Sequence, residues 1–349
     1  MLSKTIIVAT IIGSLCIGGA IAAGIVISQK QHTDVYYKDP ATFDPSSSVS
    51  VDNITSIQQI NVNTQGITVA NSYLPSIPDM VDNTTSTNVT RVPLWWDEFS
   101  GSSLDTSSWL VIDGPGETGW GNRELQTYRS DNVVVDSDMM HISAMRDSNG
   151  DWTSGRVHSK GSWTPGMVVE GKTVSKIYFE SLIIIPPSGN GLWPAFWAFP
   201  QDSVYGNYAA SGEIDMMELR DSYDKVTSGI HYGGEKPDNL RNMTRTFSSD
   251  GETFANKMFV FGCEWTLDTI VLTINGMEVT RRVSTALDPE NGWFSSASNA
   301  KVSSPFDEPF HSIFNIAVGG NFPQYEPDET TPNVATMSID YFRVFADFA

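Results

Sequence analysis

Cysteine, positive charge and long helical periodicity are all scarce in this chain. Only two cysteines occur among 349 residues, Cys16 and Cys263. Cys16 lies in an N-terminal apolar run and Cys263 in Met258-Phe259-Val260-Phe261-Gly262-Cys263-Glu264-Trp265, which reads as a buried strand. An intradomain disulfide is therefore not expected, and Cys263 reads as a small core residue. No CxxC or His/Cys spacing points to zinc or redox chemistry. Lysine and arginine number 21 against 41 Asp and Glu, giving a formal net charge of −20 with no basic block. That argues against nucleic acid as a partner, because phosphate binding needs clustered positive charge. A neutral polymer carries no such penalty. A Ser-His-Asp arrangement, a phosphate loop and a dinucleotide fingerprint are absent too, since Gly114-Pro115-Gly116 precedes no helix.

Residues 5–28 carry no charge and are dominated by Ile, Val, Ala and Gly, with Lys4 before them and Lys30 and His32 after. A bilayer core needs about 20 apolar residues, whereas signal-peptide cores run to roughly 7–15. Residues 1–30 thus favour an uncleaved signal anchor, a membrane contact through 5–28. Ala20-Ile21-Ala22 leaves a cleaved signal peptide open. Charges at both ends leave orientation by the positive-inside rule undecided. Either way the bulk of the chain is expected outside the cytoplasm, membrane-anchored or secreted. Residues 31–90 are rich in Ser, Thr, Asn, Asp and Pro and hold no lasting period, so they read as a stalk or linker, with strand-like runs near 53–63 and 66–73. The glycosylation sequons at Asn53, Asn83 and Asn88 fall there, and another lies at Asn242; they fit an exported, glycosylated protein.

From 91 to 349 the texture is uniform. Short apolar or alternating runs recur between Gly, Pro, Asn and Asp, at 133–135, 140–144, 176–185, Glu213–Leu219, Met258–Trp265, Thr269–Ile274, 313–318 and 337–345. Asn275-Gly276 marks a two-residue hairpin. No long helical period competes, and the pattern predicts an all-β sandwich of two antiparallel sheets.

The most informative stretch is Ser211-Gly212-Glu213-Ile214-Asp215-Met216-Met217-Glu218-Leu219. On a regular strand Glu213 and Asp215 share a face and Glu218 points to the other. One extra residue, as a β-bulge between Asp215 and Glu218, would bring all three acids to one face. Such crowding requires at least one acid to hold a proton, the condition a glycosidase needs. The competing reading is the solvent face of an edge strand. Two neighbouring runs favour function over it: Gly191-Leu192-Trp193-Pro194-Ala195-Phe196-Trp197 and Gly229-Ile230-His231-Tyr232-Gly233-Gly234. Carboxylates about 5–5.5 Å apart belong to retaining double displacement. Spacing alone does not say which glutamate attacks. His231, thirteen residues after Glu218, falls on the next antiparallel strand, where it would meet the acids or a sugar, or be structural. Trp95, Trp96, Trp109, Trp120, Trp193, Trp197 and Trp293 all belong to this half, and sugars stack on such rings. Trp95, Trp96, Trp109 and Trp265 read as core. Trp120, in Gly114-Pro115-Gly116-Glu117-Thr118-Gly119-Trp120-Gly121-Asn122, reads as an exposed platform.

These residues resemble glycoside hydrolase family 16, specifically its laminarinase-type endo-1,3-β-glucanases. The likeness runs from about residue 93 to 345. It rests on Trp96-Asp97-Glu98-Phe99, Gly121-Asn122-Arg123-Glu124-Leu125-Gln126, Ser154-Gly155-Arg156-Val157, the Trp193 and His231 runs, the acid stretch, Pro305-Phe306-Asp307-Glu308-Pro309-Phe310 and Asn315-Ile316-Ala317-Val318-Gly319-Gly320-Asn321. It implies a concanavalin A-like jelly roll and retaining hydrolysis of internal 1,3-β-glucan bonds. Glu213 would be nucleophile, Glu218 acid/base and Asp215 their modulator. Trp120, Asn122, Arg156, Trp193 and His231 would line the glucan groove. No cofactor is required, although a structural calcium is implied at Glu98 and Asp340. The extra residue Met217 in E-x-D-x-x-E places the chain with the bulged branch, which also holds agarases and carrageenases. Departures are Glu180-Ser181-Leu182, where relatives read Glu-Ala-Arg, and residues 205–210, which replace a short approach to the acids. A wall-remodelling transglycosylase and a glucan-binding lectin-like module without turnover stand as alternatives.

Overall fold

The computed structural model describes residues 24–27, 35–38, 91–235, 240–248 and 253–349. The chain divides into two compact units, Met1–Val92 with Ser249–Glu252, and Pro93–Ser248 with Thr253–Ala349. In the first, strands Gly24–Ile27 and Val35–Lys38 pair antiparallel, with Ile27 opposite Val35. The end of the apolar run is thus a strand rather than the end of a helix, in keeping with the β-branched Ile25, Val26 and Ile27. Residues 5–23, most of residues 31–90 with the runs near 53–63 and 66–73, and Asn53, Asn83 and Asn88 lie outside the described residues. Among the described residues no helix is long and apolar enough to cross a membrane.

The second unit is a sandwich of an eleven-stranded and a seven-stranded sheet. We label the seven strands in chain order: β1 Trp109–Val111, β2 Arg156–Ser159, β3 Leu192–Pro200, β4 Glu213–Leu219, β5 Lys225–Gly233, β6 Leu240–Ser248 and β7 Phe310–Val318. They lie side by side as β6-β5-β4-β3-β7-β2-β1, every pair antiparallel. The acid strand β4 is therefore interior rather than an edge. That removes the competing solvent-face reading. In the other sheet the main path runs Met277–Val283, Thr269–Ile274, Met258–Trp265, Lys172–Ile184, Val334–Phe348, Met139–Arg146, Trp152–Ser154 and Thr127–Tyr128. The hairpin turn sits where Asn275-Gly276 predicts it, with positive φ at both residues (51° and 74°), as a type I′ turn demands.

Alternation explains which face each strand buries. On β3, Leu192, Phe196 and Ala198 are fully buried while Trp193 and Trp197 stay half-buried on the other face. Phe196 stacks on Phe314 of β7 at 4.5 Å between ring centroids. From the opposite sheet Phe342 reaches both, at 5.8 and 5.7 Å, and also packs on Trp95, Trp109, Trp163 and Phe179. This aromatic plug joins the sheets beneath the acid strand. Trp96 and Trp293 depart from their predicted places. Trp96, read as core, is 47 % exposed on its short strand, because Trp95 takes the inward position. Trp293, grouped with groove aromatics, is fully buried and donates its indole N–H to the Ser303 carbonyl. Cys263 is buried as predicted, and burial pushes its thiol pKa up, away from reactivity.

Candidate active site

The register of β4 carries the predicted bulge. Against β3, Met217 faces Phe196 and Asp215 faces Trp197, leaving Met216 as the extra residue on that side. Against β5, Asp215 faces Gly229 and Glu218 faces Thr227, so three steps on β4 match two on β5. Both methionines are fully buried. Two consecutive side chains therefore turn into the core, and Glu218 returns to the face that holds Glu213 and Asp215.

Glu213 pairs in register with His231 of β5. The His231 Nε2 lies 3.3 Å from Asp215 Oδ2 and 3.9 Å from Glu213 Oε1. Asp215 is 2 % exposed. On the other flank the Trp193 indole N–H donates to Glu218 Oε1 at 3.1 Å. The Glu218 carboxyl pKa is held well above the usual carboxylate range, first by burial and then by the charges of Asp215 and Glu213; His231 and the Trp193 N–H pull the other way. The three acids on one patch thus hold the Glu218 carboxyl toward its protonated form. Trp193 itself is braced: its ring lies 4.9 Å from that of Phe322, and Arg220 covers Phe322 at 4.7 Å while donating to its carbonyl.

Across β3, β7 and β2 the same face continues as a polar and aromatic layer. The Arg156 guanidinium sits over the Trp120 ring at 4.7 Å and the Trp197 ring at 5.0 Å, a double cation–π contact. Its Nε donates to His158 Nε2 at 2.8 Å, which requires a neutral imidazole. Burial, with the Arg156 charge behind it, pushes the His158 pKa down to about 2 and that of His311, stacked on it, to about 4. Trp197 donates to Asn315, and Asn315 to the Tyr128 hydroxyl. Asn122 donates to Glu124 Oε1 and Gln126 to its Oε2, around a carboxyl whose pKa burial raises.

All the groove residues named from sequence lie in the second unit. Glu213, Asp215, Glu218, His231 and Trp193 form one cluster; Trp120 and Arg156 form a second; Asn122 joins it through the Glu124 loop. Trp120 is half-buried rather than exposed: its backbone takes φ 55°, and a Cβ at Gly116 would sit 2.6 Å from its ring, so only glycine fits under it. Sequence reasoning missed Phe322 and Arg220, and it held Glu124 and Asn315 only as members of longer motifs without a place in the site. It also missed Tyr208, whose ring centroid lies 6.0 Å from that of His231. Burial raises the Tyr208 pKa most, followed by the charges of Glu213, Asp215 and Glu218. Its signal was present, because it sits in the departing segment 205–210.

The implied calcium fares differently. Glu98 accepts from Arg343 through both carboxylate oxygens, at 2.8 and 3.0 Å, and Asp340 is buried on the strand that carries Arg343, Val334–Phe348. Among the described residues the one group of three acidic, His or Cys ligands is Glu213, Asp215 and His231. Calcium takes six to eight oxygens; at Glu98 the Arg343 guanidinium already meets both carboxylate oxygens, so an ion there would have to compete with it.

Comparison with known proteins identifies the family. No family model matches the chain. A glucan endo-1,3-beta-glucosidase of Cryptopygus antarcticus is 34 % identical over 270 residues, 71 % of this chain and 90 % of the relative. The chain belongs to the laminarinase branch of glycoside hydrolase family 16. Glucan endo-1,3-beta-glucosidase A1 of Niallia circulans is 36 % identical over 275 residues; the match takes in 73 % of this chain but 38 % of that longer protein. Among solved structures, the laminarinase of Rhodothermus marinus superposes with a TM-score of 0.60 at 30 % identity, over 74 % of this chain and 98 % of that one. In this family 16 chain the sandwich is thus the shared part.

Proposed function

We propose that the chain is a retaining endo-glycosidase that hydrolyses internal bonds of 1,3-β-glucan. The observation that carries the mechanism is the bulged register that brings Glu213, Asp215 and Glu218 to one face of β4, where burial and the neighbouring charges push the Glu218 pKa up. Glu213, at the mouth of the cluster, attacks the anomeric carbon, and Glu218 gives its proton to the departing sugar oxygen. The glycosyl–Glu213 ester forms as that C–O bond breaks. Glu218, now a carboxylate, takes a proton from water, which attacks the same carbon and frees Glu213. The negative charge of Asp215 supports the protonated state of Glu218 before the first step. His231 holds Asp215 in place. Arg156, clamped between two tryptophans, offers fixed donors to sugar hydroxyls, and the half-buried rings offer apolar faces.

An exported location, through an anchor or a cleaved signal within residues 1–30, is part of the same proposal. Asn242 is exposed on the edge strand β6, in a place a glycan can reach. Retention of Glu213, Asp215 and Glu218 speaks against a lectin-like module without turnover.

The test is laminarin hydrolysis followed by proton NMR of the nascent anomer, with a parallel analysis of product length. A β-anomer released first, and an activity that falls at least about a hundredfold in Glu218→Ala, are the expected results. An α-anomer first, or an unimpaired Glu218→Ala, would overturn the mechanism. Products longer than the substrate would favour the transglycosylase.

A further inference from the structure

We infer that the acid cluster is also an inhibitory site for a divalent transition metal, Zn²⁺ in particular, held by Glu213, Asp215 and His231. The inference rests on the glycosidase reading for its consequence but not for its geometry. One ligand atom from each residue lies within 4.8 Å of the others. Tetrahedral zinc with bonds of about 2.0–2.1 Å sets its ligand atoms about 3.3 Å apart. The Asp215 Oδ2 to His231 Nε2 separation already equals 3.3 Å, and that of Glu213 Oε1 to His231 Nε2 is 3.9 Å. Two edges of the coordination polyhedron are therefore formed or nearly formed before any ion arrives, and rotation of the long Glu213 side chain closes the third.

A second observation points to a ligand. Asp215 is 2 % exposed, and its Oδ2 makes no hydrogen bond; its 3.3 Å contact with His231 Nε2 is an ion pair only when that ring is protonated. A buried carboxylate oxygen in that condition is costly unless a cation or donor meets it. The Glu213 and His231 side chains retain 16 and 18 % exposure, enough to admit an ion from the groove. Two carboxylates and a neutral imidazole neutralise a divalent charge. The imidazole nitrogen selects transition ions over Mg²⁺ and Ca²⁺, which favour all-oxygen shells.

Bound there, zinc takes the lone pair Glu213 needs for attack, and its charge favours loss of the Glu218 proton. Both halves of the first chemical step fail together, and the ion and the glucan exclude one another. The site would make glucan cleavage sensitive to free zinc while leaving it indifferent to the hard cations.

The experiment uses the full chain. Calorimetric titration with ZnCl₂, and separately MgCl₂ and CaCl₂, reads binding without activity. Laminarin kinetics with and without ZnCl₂, then with EDTA, read the consequence. We expect Zn²⁺ binding that His231→Ala and Asp215→Asn each weaken at least about tenfold and that Glu218→Gln changes less than about threefold. Zn²⁺ should raise the apparent KM for laminarin, and EDTA should reverse the effect. Thermal melts of each variant separate a lost ligand from a lost fold. No zinc binding, or equal affinity in folded His231→Ala and Asp215→Asn, would overturn the site. A chain that binds zinc through these residues yet never cleaves laminarin would instead refute the glycosidase reading and leave the site standing.

Discussion

Two substitutions beside Glu218 should move one pH limb in opposite directions. As general acid, Glu218 must be protonated in the first chemical step, so kcat/KM for laminarin falls on the alkaline side as that proton is lost. The Trp193 N–H, 3.1 Å from Oε1, stabilises the carboxylate form, whereas the Asp215 charge destabilises it. Trp193→Phe keeps an aromatic ring against Phe322 but removes the donor. A hydrogen bond to a charged group contributes about 1.5–3 kcal/mol. With about 1.4 kcal/mol per pH unit, the alkaline limb should rise by about one unit or more. Asp215→Asn removes the largest electrostatic contribution after burial, so the limb should fall instead. The assay is the pH dependence of kcat/KM on laminarin for wild type and both variants, reading the limb's position rather than the height of the profile. A limb that stays fixed in both variants, or shifts the same way in both, would refute Glu218 as the acid that these neighbours tune.

Removing the aromatic plug tests the fold. Phe342→Ala leaves a cavity walled by six aromatic rings, and such truncations cost about 3–5 kcal/mol; a urea midpoint unchanged from wild type would count against its central place. The buried neutral imidazoles of His158 and His311 predict acid lability. Both pKa values are depressed on folding, so the unfolded chain binds the protons first. Stability is full above the unfolded value of about 6.5 and declines as pH falls, by up to about 1.4 kcal/mol per unit for each ring. The decline ends near pH 4 for His311 and near pH 2 for His158. Denaturant titrations between pH 7 and 4 should show it, and His158→Gln should flatten the slope. At the other sheet, Glu98→Gln removes the carboxylate that meets the fully buried Arg343 guanidinium and should cost up to about 3–5 kcal/mol, with EDTA having no comparable effect on the wild-type melt.

Much of the site was legible because strand geometry has a fixed period. Offsets of zero, two and five within Glu213–Leu219 imply a bulge wherever the acids share a face, and the register between Asp215 and Glu218 contains it. The Asn275-Gly276 pair marked its hairpin from two residues alone. Strand ends were less legible: the runs at 313–318 and 337–345 extend to Phe310–Val318 and Val334–Phe348, because pairing with neighbours carries polar residues into the ladder.

What the sequence determined by itself was local: which residues alternate, where a turn needs positive φ, and which acids share a face. The tertiary structure decided partnership. Glu98 meets Arg343 across 245 positions, and Arg156 stacks between Trp120 and Trp197 from three separate segments. Tyr208 lies over His231 although its own segment carries no period. These contacts depend on strand register and on loops folding back over a sheet, and neither is written in the spacing of one segment. The chemistry of the acid strand is local in origin; the upward shift of the Glu218 pKa comes from its burial and its neighbours in the folded sandwich.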